Sequence, residues 1–247
     1  AKSFGRIADP RTQHVLIRFL EDEDQDVVRE AALALGELGN ESSVTPLLEK
    51  LIDSNQNSMV AIVRALGSLG SNQSVLTLLE HLKTEDLRLQ KEIIVALGKI
   101  KDERAIPAIK DLILDASLEL QHDGVRALGE IGSANSLDTL AVLLETGDRS
   151  LRFPITEAIG KIGSSDGQSS LYQLILDGDL EVRQRAVIAL GEIASPDAVS
   201  HLLKLVNDPD KTLRSNVAES LGRIGNQDTI LPLIHFVKDP EIGRAHV

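Results

Sequence analysis

The sequence has no cysteine and no tryptophan, and its 247 residues include only four phenylalanines, one tyrosine and one methionine. Without cysteine there are no disulfides, thiolate metal sites or cysteine nucleophiles. So few aromatic rings exclude a nucleic-acid binder that stacks bases on side chains. Positive charge is short as well: 26 Lys and Arg stand against 38 Asp and Glu, a formal charge of −12. That balance lacks the field that neutralises phosphates, so no nucleic-acid partner is expected. No apolar run approaches the roughly 20 residues of a membrane span, and nothing near Ala1 resembles a signal peptide. Membrane insertion is therefore not expected, and the location expected is cytoplasmic. The six histidines fall at unrelated phases, so no metal-ligand spacing arises. Glycine-rich phosphate loops and nucleophilic triads are missing too. Neither a catalytic residue nor a cofactor is expected.

What the chain does have is aliphatic residues in a repeating order. Glycine recurs at Gly5, Gly36, Gly67, Gly98, Gly129, Gly160, Gly191 and Gly222, every 31 residues without an insertion. In the same register stand Leu35, Leu66, Leu97, Leu128, Ile159, Leu190 and Leu221, and one place earlier Ala34, Ala65, Ala96, Ala127, Ala158, Ala189 and Ser220. A third column runs Leu16, Leu47, Leu78, Ile109, Leu140, Leu171, Leu202 and Leu233. Periods of this length mark stacked supersecondary units.

Each period predicts two helices. Val27, Ala31, Ala34, Leu35 and Leu38 follow the stripe of an amphipathic helix. The recurring glycines are expected at helix ends, with Gly39, Gly70, Gly132, Gly163 and Gly225 as left-handed caps. Next come Asp9, Asn40, Ser71, Asp102, Ser133, Ser164, Ser195 and Asn226, N-caps for a following helix. Pro10 and Pro196 suit its first position. Acidic breaks, among them Asp22-Glu23-Asp24, Asp53, Glu85-Asp86, Asp148 and Asp177-Gly178-Asp179, cap the second helix of the pair. They lack the oxygen spacing of a calcium loop. Connections this short make antiparallel hairpins. A lone hairpin cannot bury its stripe, and a stack of hairpins can. The fold expected is all-α: a right-handed α-solenoid of antiparallel helical hairpins with a 31-residue period.

These residues resemble the HEAT-like repeats grouped with the phycobilin lyases, most closely in DLEVRQRAVIALGEIASPDAVSHLLKLVNDPD (179–210) and DERAIPAIKDLI (102–113). The resemblance covers essentially the whole chain. It implies the fold strongly and the function weakly, since proteins of this kind include scaffolds, chaperone-like factors and enzymes. Deoxyhypusine hydroxylase resembles the chain in its hairpins but holds di-iron with His-Glu pairs, and no His-Glu dipeptide occurs here. HEAT-like DNA glycosylases use a basic, tryptophan-lined groove that this chain does not have. A bilin lyase-type enzyme handling a tetrapyrrole stays open as the alternative, although its pocket would need more aromatic lining.

In proteins of this kind the second helix of each hairpin lines the concave surface. Its outward positions lie seven and three residues before the repeat glycine and one after it. They include Arg29, Val60, Arg64, Lys91, Val95, Lys99, His122, Arg126, Glu130, Phe153, Glu157, Ile188 and Glu192. Their variety contrasts with the monotonous core columns, so a partner protein or peptide is expected there. The candidates are Arg64, Val95, Lys99, His122, Arg126, Phe153, Glu157, Ile188 and Glu192, with Phe153 as a hydrophobic anchor. Arg152, Arg183 and Arg214 share one phase beside the acidic turns and predict a ladder of ion pairs between repeats.

The repeat register predicts one solenoid of seven to eight repeats over residues 1–241, cut at both ends. It fails at Arg244, and residues 242–247 read as a translation of a common sequencing-library adapter. Native sequence is expected to end near Glu241.

Overall fold

A computed structural model describes residues 10–225. Of the expectations above, Asp9, Asn226, Leu233 and the tail at 242–247 lie outside the described residues. The chain divides into two compact units, Ala1–Ile131 and Gly132–Val247. The boundary falls between one hairpin and the next.

In the first unit the helices are α1 (Pro10–Phe19), α2 (Gln25–Leu38), α3 (Val44–Ile52), α4 (Gln56–Leu69), α5 (Val75–His81), α6 (Leu87–Ile100), α7 (Ile106–Ile113) and α8 (Leu118–Ile131). The second unit contributes α9 (Leu137–Thr146), α10 (Arg152–Ile162), α11 (Gln168–Leu174), α12 (Leu180–Ile193), α13 (Val199–Leu202) and α14 (Lys211–Ile224). Odd and even helices pair as hairpins. The even, second helices then pack on one another in order: α2, α4, α6 and α8 in the first unit, and α10, α12 and α14 in the second. Each unit is a stretch of all-α solenoid, and no strand occurs among the described residues.

The sequence columns become the core. Leu35, Leu66, Leu97, Leu128, Ile159, Leu190 and Leu221 are buried, as are Leu16, Leu47, Leu78, Ile109, Leu140, Leu171 and Leu202. Burying such side chains contributes roughly 1.5–3 kcal/mol each. The repeat glycine serves a different purpose from the one expected. Gly36, Gly67, Gly98, Gly160 and Gly191 lie inside the last turn of a second helix, not at its end. They are points of backbone contact: a Cβ on Gly36 would sit 2.8 Å from the Cα of Ala65, and one on Gly98 2.9 Å from that of Ala127. The glycine of one hairpin therefore seats against the alanine of the next, or, for Gly191, against Ser220.

Helix ends follow the expected chemistry with two refinements. Gly39, Gly70, Gly132, Gly163 and Gly225 all have positive φ. Asn40, Asp102, Ser133 and Ser164 accept a backbone N–H, but each caps a short 3₁₀ turn that leads into the α-helix, and Ser71 and Ser195 cap without a side-chain bond. Asp24, Asp86, Asp148, Asp179 and Asp210 cap second helices or their leading turns. Asp53 does not; it closes α3, and Asn55, which accepts from Ser58 N, opens α4. Two hairpins lack the terminal glycine, and Lys101 and Ala194 adopt φ of 60° and 55° in its place. For an L-residue that conformation costs roughly 1–2 kcal/mol, partly offset by the greater chain entropy glycine loses on folding. Ala194 is the cleaner site, because Lys101 also faces Glu130 at 4.0 Å. Ala194→Gly is expected to stabilise the protein by about 0.5–1 kcal/mol in urea denaturation; a lower midpoint would contradict the strain.

Candidate partner-binding face

Second helices present a stripe to solvent because residues seven, three or four places apart share one helix face. In the first unit this stripe opens into a groove of about 580 Å³ lined by Arg64 on α4, Leu87, Arg88, Lys91, Glu92 and Val95 on α6, and Glu119 and Asp123 on α8. Every lining residue belongs to a second helix. Charges cross the groove in register. Arg64 grips Glu92 with two bonds, Nε to Oε1 at 3.1 Å and Nη2 to Oε2 at 2.6 Å. That bond, partly opposed by burial, raises the Arg64 guanidinium above its usual value. Lys91 bonds Glu119 and faces Asp123 at 3.9 Å, and the Glu119 contact raises its ammonium in the same way. Arg88 donates to the neutral Asn57 Oδ1 at 3.0 Å.

Pro154 shapes the groove of the second unit. Other second helices begin five residues ahead of the matching position, but Pro154 has no N–H to give the Ser150 carbonyl. The first turn, Arg149–Leu151, is accordingly 3₁₀, and α10 starts at Arg152. A cavity of about 560 Å³ opens there between Arg149, Ser150, Arg152 and Phe153 on one side and Asp177, Gly178, Asp179 and Val182 on the other. Phe153 is 38% exposed at its wall.

Among the expected site residues, the structure brings Arg64 and Val95 together in the first groove and places Phe153 at the second. Lys99, Arg126 and Glu192 are exposed, while His122, Glu157 and Ile188 are half-buried; none of these six lines either groove. Val60 is buried rather than outward. Arg29, Lys91, His122 and Gln184 of its column are all half-buried, so a short side chain there is covered entirely. Arg88, Glu92, Glu119 and Asp123 went unrecognised as groove residues. Arg88 had a usable signal, standing seven residues before Val95 on the same stripe.

The arginine ladder is corrected. Arg152 does reach the next hairpin's turn, with Nη1 at 2.5 Å from Asp177 Oδ2. Arg183 donates to its own turn at Asp177 O (2.9 Å), and Arg214 to its own at Asp208 O (2.8 Å). Gln121 and Gln90, one and two periods before Arg152, also bond carbonyls of their own hairpins, at Ile113 and Thr84. The column staples hairpins internally because the carbonyls left open at a first helix's end need donors.

Stacked helical hairpins with a variable second-helix face define a class of repeat protein. A profile of HEAT repeats matches residues 1–62, 47–123 and 168–246, and the chain belongs to the HEAT repeat family. No curated protein sequence matches it. Among solved structures, an engineered protein is 22% identical with a TM-score of 0.60, over 98% of this chain and 78% of its own. The complex of CpcE and CpcF of phycocyanin lyase from Nostoc sp. PCC7120 is 19% identical with a TM-score of 0.56, over 94% of both chains. At these identities the likeness is one of fold. No helix among the described residues is long and apolar enough to cross a membrane.

Proposed function

We propose that the chain is a cytoplasmic protein-interaction scaffold that takes a partner protein or peptide on the concave face built from its second helices. The observation that carries this is the first unit's groove, walled entirely by second-helix residues that vary from hairpin to hairpin while the core columns stay constant. Phe153 at the mouth of the second unit's cavity supports it, because an aromatic ring half in water gains most by being covered. The scaffold has no catalytic residue of its own in this reading.

The test is affinity capture on intact protein beside Phe153→Ala and Ile188→Ala. Loss of a partner from the Phe153 variant, with its melting temperature unchanged, is the expected result. Equal capture by all three proteins removes Phe153 and Ile188 from the binding face. The bilin lyase-type alternative is separated by adding phycocyanobilin: tight binding with a shifted absorbance band favours it over the scaffold.

A further inference from the structure

The second helices α4, α6 and α8 are charged differently from the rest of the first unit. They carry five cations, Arg64, Arg88, Lys91, Lys99 and Arg126, against four acids. The turns and first helices around them, residues 40–55, 70–86 and 101–117, carry ten acids against five cations. Pairing sharpens the contrast. All four second-helix acids are engaged: Glu92 by Arg64, Glu119 and Asp123 by Lys91, and Glu130 by Lys101. Arg88, Lys99 and Arg126 are exposed and have no acidic partner among the described residues. The uncompensated charge on this face is therefore positive, on a chain whose total is −12.

Geometry arranges that charge along one line. Arg88, Val95 and Lys99 are spaced i, i+7 and i+11 and share a face of α6. Arg88 and Val95 line the groove, with the exposed Leu87 beside them. Arg126 occupies, one hairpin on, the position of Val95. Resting on the scaffold reading above, we infer that this face of the first unit binds an acidic segment of a partner protein, laid along α6 with carboxylates toward Arg88 and Lys99 and an apolar side chain on Leu87 and Val95. Eleven residues of helix span about 16 Å, which an extended strand covers in about five residues. The motif selected is thus acidic, apolar, acidic, with its two charges four or five residues apart. A nucleic-acid strand fits poorly. Its unbroken row of phosphates would meet Glu92, Glu119 and Asp123 in the same groove, and α4, α6 and α8 carry no Phe, Tyr or Trp for its bases.

Random twelve-residue peptides displayed on phage, selected against the intact protein, test this directly. The expected winners carry paired Asp or Glu around an apolar residue. A labelled winner should bind Arg88→Glu/Lys99→Glu/Arg126→Glu about tenfold or more weakly. Its affinity for Lys50→Glu/Lys83→Glu/Lys110→Glu, which changes net charge equally on the first helices and a turn, should stay within about twofold. Circular dichroism should show both variants folded, since none of the six residues has an acidic partner among the described residues. Winners without acidic enrichment, or equal weakening by both triple variants, overturn the inference. Displacement by a single-stranded oligonucleotide, or self-association that the first triple variant abolishes, also overturns it by naming another occupant. If neutral winners lose affinity on Phe153→Ala, the scaffold reading stands without this inference; if no second-helix substitution alters any winner, both fail.

Discussion

Leu97→Ala is expected to cost about 2–5 kcal/mol of stability, read as a fall in the urea midpoint. Leu97 is fully buried on α6, and α6 packs on α4 before it, on α8 after it and on α5 of its own hairpin. Deleting its methyls leaves a hole whose walls belong to neighbouring helices, themselves pinned by the next hairpins. Such a hole collapses little, and the cost rises with the volume left empty. Leu118, 41% exposed at the start of α8, is the contrast. Its replacement by alanine should change stability by less than about 0.5 kcal/mol. A loss at Leu97 below about 1 kcal/mol would mean that the hairpins slide to fill the gap.

Gly67→Ala should also destabilise the protein, against what helix propensity says. Alanine within a helix is better than glycine by about 0.8–1.0 kcal/mol. Here, however, the added Cβ would stand 2.8 Å from both the Cα and the Cβ of Ala96. A backbone atom cannot rotate away, so α4 and α6 must part, and overpacking of this kind costs about 1–3 kcal/mol. The net expectation is a loss of up to about 2 kcal/mol in the same denaturation measurement. A higher midpoint would show that the two helices separate freely.

The period, the hairpins and the buried columns were legible because hydrophobic spacing reports directly which face of a helix is covered. The five terminal glycines were legible for the same local reason, a left-handed residue after the last apolar position. Contacts that join different periods were not. Gly67 and Ala96 stand in two columns that look independent in sequence, and only the stagger between neighbouring helices brings them together. The arginine column failed similarly: Arg183 had both a turn of its own and a neighbouring repeat within reach of its long side chain, and spacing alone did not choose. Among the residues that line the two grooves, Arg64, Val95 and Phe153 stand in outward columns of the sequence. Glu92 was missed because it belongs to none of the outward columns and enters the groove through its bond to Arg64.

In the first unit Gly36, Gly67 and Gly98 each meet the alanine of the following hairpin in the same way, so a block of 31 residues there can be duplicated or excised and the flanking blocks still meet through an unaltered junction. One residue added inside α4 would instead turn everything after it by about 100°, pulling the small residue out of its socket and swinging the leucine stripe toward water. Growth by whole modules, never by single residues, is thereby written into the spacing of its smallest side chains.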